Sequence, residues 1–127
     1  MRVLVVDDEP EIRDVLSEYL SSLGHEIRTF GTGREAIEAV TAEPFEVAVV
    51  DWHLPGITGR DVLEAIAAHR PETRVLVITG HVAERVGLGH MAGLVARVCH
   101  KPFALRTLRA ELEALLGMRG PTDAPIA

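Results

Sequence analysis

The stretch MRVLVVDDEP, residues 1–10, places an apolar run directly before two adjacent carboxylates. Val3 to Val6 has the length and the β-branched content of a buried strand. Pro10 suits the first turn of a helix, and apolar residues then recur at helical spacing as far as Gly24. A short buried strand followed at once by an amphipathic helix is typical of the repeating unit of a parallel sheet.

Five such units follow one another along the chain. We predict strands at Val3 to Val6, Glu26 to Phe30, Val47 to Val50, Val75 to Ile78 and Val95 to Cys99. This alternation predicts an α/β fold: a five-stranded parallel sheet with five helices on both faces. Right-handed crossovers make the strand order 2-1-3-4-5 natural, with the first and third strands side by side.

The helix boundaries carry their own signals. Thr32 with Glu35 predicts a capping box for the second helix, and Thr58 with Asp61 predicts a weaker one for the third. The fourth helix, near Val82 to Gly93, is poorly specified, because it contains glycines that each cost about 1 kcal/mol relative to alanine. We expect it to be the most mobile element.

The last helix has one clean apolar stripe of leucines between Leu105 and Leu116. After Gly117 the sequence MRGPTDAPIA contains turn formers and no periodicity. We therefore expect one domain over residues 1–117, with residues 118–127 as a flexible tail or the start of a linker. A chain of 127 residues is of the usual size for one core.

Composition restricts the class of protein. The chain is 47% hydrophobic and 25% charged, with a net charge of -6. No apolar run approaches the roughly 20 residues that span a bilayer, and the start lacks the plan of a signal peptide, so we expect a cytoplasmic protein without membrane contact. The acidic balance argues against direct nucleic-acid binding. Cys99, the single cysteine, excludes an intramolecular disulfide and predicts a buried thiol.

Polar residues follow four of the predicted strands where each one ends. Asp7 and Asp8 follow the first strand, Asp51 the third, Thr79 the fourth and Lys101 the fifth. Ligands bind at this edge of open parallel sheets. Three neighbouring carboxylates repel one another unless a cation compensates, and oxygen ligands beside a phosphate favour Mg²⁺.

These residue types suit phosphoryl transfer. With a metal to neutralise the incoming group, Asp51 is a credible nucleophile and the product is an aspartyl phosphate. Lys101 would neutralise one phosphoryl oxygen and the Thr79 hydroxyl would donate to another. Lys101 is the only lysine among 13 basic residues, which favours a position that needs a compact ammonium.

The motifs VLVVDDEP, VVDWHLPGITG, VLVITG and CHKPF, in this order, resemble the receiver domains of bacterial response regulators. The resemblance implies a flavodoxin-like fold, a sensor histidine kinase or phosphotransfer protein as phosphodonor, and a role as a signalling domain rather than an enzyme. It also implies roles for individual residues: Asp51 as phosphoacceptor, Asp7, Asp8, Asp51 and the His53 carbonyl as Mg²⁺ ligands, Thr79 as switch hydroxyl, Lys101 as phosphate contact, and a Lys101–Pro102 bond that is often cis.

Three positions depart from the family pattern. Val98 stands where such domains usually carry Tyr or Phe, and His53 and His81 stand where side chains flank the phosphoryl group. We expect Thr79 still to move toward the phosphate, and the two histidines to be either ordinary loop residues or modulators of phosphate lifetime. The signal would pass through the face of the fourth helix, fifth strand and last helix to an unknown downstream protein or attached output domain. The same face could form a homodimer.

Two other functions remain open from the sequence. The chain could be a receiver-like interaction module that accepts no phosphate and docks through the last helix with Arg106 and Arg109. It could also be an aspartate-based phosphohydrolase, although His53 stands where that class normally has a second carboxylate. Taken alone, Asp7 and Asp8 could be acids at a helix N-terminus, where the helix dipole favours them.

Overall fold

A computed structural model describes residues 1–80 and 95–117 of the chain. The strands are β1 (Arg2–Val6), β2 (Glu26–Phe30), β3 (Val47–Asp51), β4 (Arg74–Thr79) and β5 (Val95–His100), and the described helices are α1 (Pro10–Ser22), α2 (Gly33–Ala42), α3 (Gly59–His69) and α4 (Leu105–Leu116). The predicted fourth helix, His81, and the predicted tail at 118–127 lie outside the described residues. The predicted last helix is therefore α4.

The five strands form one parallel sheet in the order β2-β1-β3-β4-β5. Val5 pairs with Val49 of β3, and Asp51 at the end of β3 pairs with Ile78 of β4. The predicted flavodoxin-like order is confirmed, and each predicted strand is present with ends that differ by at most one residue. Because all strands are parallel, their carboxyl ends lie along one edge of the sheet.

Side chains of the central strands alternate between two apolar cores, as the two-residue period of a strand requires. Leu4 and Val6 of β1 pack on one face, against α2 and α3. Val3 and Val5 pack on the other face, against α1 and α4. β1, β3 and β4 are almost wholly buried, whereas β2 lies at an edge and is largely exposed. The burial of both faces explains why the central strands are continuous apolar runs.

The helix starts follow the predicted capping residues, with one difference. Oγ1 of Thr58 accepts the Asp61 N–H at 3.3 Å and the Asp61 carboxylate accepts the Thr58 N–H at 3.0 Å, which completes a reciprocal capping box. Thr32 caps α2 by accepting the Glu35 N–H, and the Glu35 carboxylate accepts the Thr32 hydroxyl. The box expected to be weaker is thus the complete one.

Arg74 joins the start of β4 to the end of α4. This buried guanidinium donates to the carbonyl oxygens of Leu115 at 3.2 Å and Leu116 at 3.3 Å. Carbonyl groups in the last turn of a helix have no partner within the helix, so Arg74 satisfies two of them and also complements the helix dipole. Of the helices in the described ranges, none has the length and hydropathy to cross a membrane.

Candidate functional site

Three carboxylates meet at the carboxyl edge of the sheet. Asp7 and Asp8 follow β1, and Asp51 is the last residue of the neighbouring strand β3. Asp7 is 1% exposed and Asp51 is 2% exposed, while Asp8 faces solvent. One oxygen from each carboxylate lies within 4.8 Å of the others. The predicted cluster is therefore present, with two buried members and one exposed member.

Asp7 has one satisfied and one unsatisfied oxygen. Its Oδ1 accepts the N–H of Glu9 at 2.9 Å, and Arg13 holds the Asp7 backbone by donating to its carbonyl oxygen at 2.7 Å. Its Oδ2 is buried and accepts no hydrogen bond within the described part of the chain. Burial raises the pKa of Asp7 to about 6; the Glu9 hydrogen bond opposes this effect and the charge of Asp51 adds to it.

These features fit a divalent cation with oxygen ligands. A buried carboxylate oxygen without a hydrogen bond is costly, and a divalent cation beside it would satisfy the oxygen and offset the repulsion among the three acids. A small cluster of carboxylates suits Mg²⁺, which binds a few protein oxygens and keeps several waters. Asp7, Asp8 and Asp51 could hold such an ion, and the proposed fourth ligand, the His53 carbonyl, lies two residues beyond Asp51.

The single lysine reaches into this cluster. Nζ of Lys101 lies 3.5 Å from Oδ2 of Asp7 and 3.5 Å from Oδ2 of Asp51. Its shortest contact is with Oε1 of Glu9, at 2.7 Å. Burial disfavours the Lys101 cation, but the Glu9 hydrogen bond and the charges of Asp7 and Asp51 together raise the pKa of Lys101 above its ordinary value. The ammonium is therefore held charged beside Asp51.

His53 links Asp51 to Thr79. The His53 backbone N–H donates to Oδ1 of Asp51 at 3.0 Å, and Nε2 of its ring lies 3.2 Å from Oγ1 of Thr79. Thr79 is completely buried at the end of β4, and its carbonyl accepts the Lys101 N–H at 2.7 Å. The Lys101–Pro102 peptide is cis, as the resemblance implied.

Gly59 allows α3 to begin directly against the acceptor strand. A Cβ at Gly59 would lie 2.4 Å from the backbone oxygen of Asp51 and 2.6 Å from Cα of Trp52. Both are backbone atoms that cannot move aside cheaply. The Gly59 N–H in turn donates to the Trp52 carbonyl at 3.2 Å. The absence of a side chain at Gly59 therefore allows the start of α3 to lie against the backbone of Asp51 and Trp52.

The structure brings Asp7, Asp8, Asp51, Thr79 and Lys101 together, as the strand ends predicted. Two contacts were missed from the sequence: the ion pair of Glu9 with Lys101, and the approach of the His53 ring to Thr79. Glu9 directly follows the two aspartates, so its position beside the only lysine was a usable signal. The second contact had a weaker signal, since it needs the pairing of β3 with β4 and a loop conformation.

Three neighbours of the site are buried or partly buried, and Cys99 has the environment predicted for it. Cys99 is a buried thiol, 3% exposed, and burial raises its pKa. Trp52 and Val98 are partly buried against the core that includes α2 and α3. Val98 therefore occupies the expected strand position with an aliphatic side chain.

Comparison with known proteins identifies similar sequences and folds. The family model of the response regulator receiver domain matches residues 3–113. Transcriptional regulatory protein TcrA of Mycobacterium tuberculosis is 36% identical over 125 residues, which cover 98% of this chain and 49% of TcrA. The chain thus spans about half the length of this curated relative.

Solved structures give the same result for the fold. Response regulator protein TrrA of Thermotoga maritima, in complex with Mg²⁺-BeF, superimposes with a TM-score of 0.76 at 30% identity, covering 90% of this chain and 97% of TrrA. Chemotaxis protein CheY4 of Vibrio cholerae gives a TM-score of 0.77 at 27% identity, with the same two coverages of 90% and 97%.

Proposed function

Because this chain belongs to the response regulator receiver domain family, we propose that Asp51 is its phosphoacceptor and that a signal is passed on by phosphorylation of this residue. One observation carries the proposal: a buried carboxylate lies at the sheet edge with an ammonium 3.5 Å away and two further acids beside it. That arrangement combines a nucleophile, a fixed positive charge and the ligands for a cation.

The proposed reaction is a transfer of a phosphoryl group to a carboxylate oxygen of Asp51. The oxygen forms a bond to phosphorus while the bond from phosphorus to the donor atom breaks, and the donor leaves with that electron pair. Lys101 would exchange its contact with Glu9 for a phosphoryl oxygen, and the Thr79 hydroxyl would donate to another. Mg²⁺ held by Asp7, Asp8, Asp51 and the His53 carbonyl would neutralise the remaining charge.

A phosphorylation switch needs a phosphodonor and a domain or protein that responds to the phosphorylated form. We propose a sensor histidine kinase or phosphotransfer protein as the donor. TcrA is about twice as long as this chain, which supports an attached output domain as the part that responds to phosphorylation. A separate downstream protein is the alternative. The domain limits 1–117, the cytoplasmic location and a homodimer through the face around β5 stay predictions.

The proposal is tested by incubating the protein with Mg²⁺ and acetyl phosphate and measuring its intact mass. We expect a gain of one phosphoryl group that requires Mg²⁺ and is lost in Asp51→Asn. Asp14→Asn, an exposed change in α1, is the matched control and should be phosphorylated like the wild type.

The same incubation separates the alternatives. A protein that never gains the phosphoryl group, although folded, would instead be an interaction module. Rapid repeated hydrolysis of an added phosphoester would favour the phosphohydrolase.

A further inference from the structure

The ring of His53 contacts the hydroxyl that phosphate binding would require. His53 belongs to the loop after β3, and Thr79 ends the neighbouring strand β4. Their side chains approach to 3.2 Å between Nε2 and Oγ1, while the His53 backbone N–H holds Asp51. One residue thus contacts both the proposed acceptor carboxylate and the proposed switch hydroxyl.

The chemistry of a hydroxyl makes this contact competitive with phosphate binding. Thr79 carries one hydrogen, and a phosphoryl oxygen can only accept, so the phosphate needs that hydrogen. If the His53 ring is protonated on Nδ1, its Nε2 accepts the hydrogen of Thr79. If it is protonated on Nε2, the ring donates to Oγ1 and holds the oxygen toward the histidine. In the first case the hydrogen of Thr79 is already used, whereas in the second it stays available and the contact restrains only the position of Oγ1.

We propose that His53 is a positioning residue that holds the Thr79 hydroxyl in the unphosphorylated state and releases it when a phosphoryl group is bound on Asp51. The inference rests on the proposed function, because it concerns how Thr79 reaches the phosphoryl group. If His53 acts in this way, its ring opposes the binding of a phosphoryl group at the site. Val98 has an aliphatic side chain packed against the core, so it offers no polar group for this exchange.

The expected effect is modest. Thr79 is completely buried, but His53 is open to solvent, so water replaces part of what the contact contributes. Loss of one hydrogen bond in such a position changes an equilibrium by roughly two- to fivefold. Removing the His53 ring should therefore increase the affinity of the site for a phosphoryl analogue by that factor.

The test is a titration of the full chain with beryllofluoride in Mg²⁺, a stand-in for the phosphoryl group, followed by calorimetry. His53→Leu keeps bulk beside the site but cannot hydrogen-bond, and we expect it to bind the probe roughly two- to fivefold more tightly. His53→Gln can restore part of the contact, and its affinity should lie between those of the wild type and His53→Leu. In a Thr79→Val background, the change His53→Leu should no longer alter the affinity.

The outcomes separate the inference from the proposed function. Equal or weaker binding by His53→Leu, or the same gain in the Thr79→Val background, would overturn the inference alone. If the wild type shows no Mg²⁺-dependent binding, or Asp51→Asn binds equally well, both proposals fail. Thermal melting without the probe checks folding of each variant, and His53→Ala carries the same expectation if His53→Leu does not fold.

Discussion

Replacing Asp7 by asparagine should stabilise the protein when no divalent cation is present. The pKa of Asp7 is raised from 3.8 to about 6, first by burial and then by the charge of Asp51. A difference of about two pKa units corresponds to about 3 kcal/mol of unfolding free energy lost when Asp7 ionises. Asparagine has nearly the same shape, keeps an oxygen for the Glu9 N–H and carries no charge. We therefore expect Asp7→Asn to be more stable by up to about 3 kcal/mol at pH 7.

The pH dependence follows with a definite sign. Because the pKa of Asp7 is higher in the folded state than in the unfolded state, the folded state binds the extra proton between about pH 4 and pH 6. The contribution of Asp7 to the stability of the wild type should therefore fall as the pH rises through this range and should then level off. The difference between Asp7→Asn and the wild type should be absent below about pH 4 and reach its full size above about pH 6.

The assay is urea unfolding in EDTA from pH 3.5 to pH 8, with Asp14→Asn as an exposed control that should change stability by less than about 0.5 kcal/mol. Added Mg²⁺ should remove most of this difference in stability. At a concentration 100 times the dissociation constant, a ligand stabilises by about 2.7 kcal/mol, and Asp7→Asn should gain much less of this. An Asp7→Asn variant that is less stable than the wild type in EDTA at pH 7, or a pH-independent gain, would refute the reasoning.

Two further substitutions test the framework of the site. Gly59→Ala puts a methyl group 2.4 Å from a backbone oxygen, so urea unfolding should show a loss of about 1–3 kcal/mol in unfolding free energy. Gly117→Ala, where the new methyl group would make ordinary contacts, is the control and should be neutral. Equal effects of the two changes would contradict the close packing at Gly59. Arg74→Met leaves two helix-end carbonyls without their buried donor, and we expect the unfolding free energy to fall by about 2–4 kcal/mol. Arg34→Ala, on the surface, is the control and should change it by less than about 0.5 kcal/mol. A fully stable Arg74→Met would show that water satisfies those carbonyls.

The sheet could be predicted almost completely from the sequence because its strands are buried on both faces. Strands of this kind are continuous apolar runs, and a right-handed crossover leaves few ways to order them. The ends differed by one residue where a polar residue still pairs in the sheet, as Arg74 and Thr79 do at the two ends of β4. The prediction of which capping box is the weaker one was wrong, because the completeness of a box depends on side-chain rotamers that residue type alone does not determine.

The candidate site was predictable to the level of which residues meet, but not of which atoms bond. Strand ends placed Asp7, Asp51 and Lys101 at one edge, and topology brought them together. The contact of Glu9 with Lys101 depends on the conformation of the flexible lysine side chain, whose ammonium lies within 3.5 Å of three carboxylates. The contact of His53 with Thr79 depends on the loop after β3. Such choices arise from the three-dimensional packing of loops, which periodicity does not report.

The most direct measurement of the central claim locates the phosphoryl group within the chain. After reaction with acetyl phosphate and Mg²⁺, borohydride reduces an aspartyl phosphate to homoserine, and peptide mass spectrometry then identifies the altered residue. We predict conversion at Asp51 alone, dependent on Mg²⁺ and prevented by EDTA. Conversion at Asp7 or Asp8 with Asp51 unchanged, or no conversion in protein that is folded and saturated with Mg²⁺, would contradict the claim that Asp51 is the phosphoacceptor.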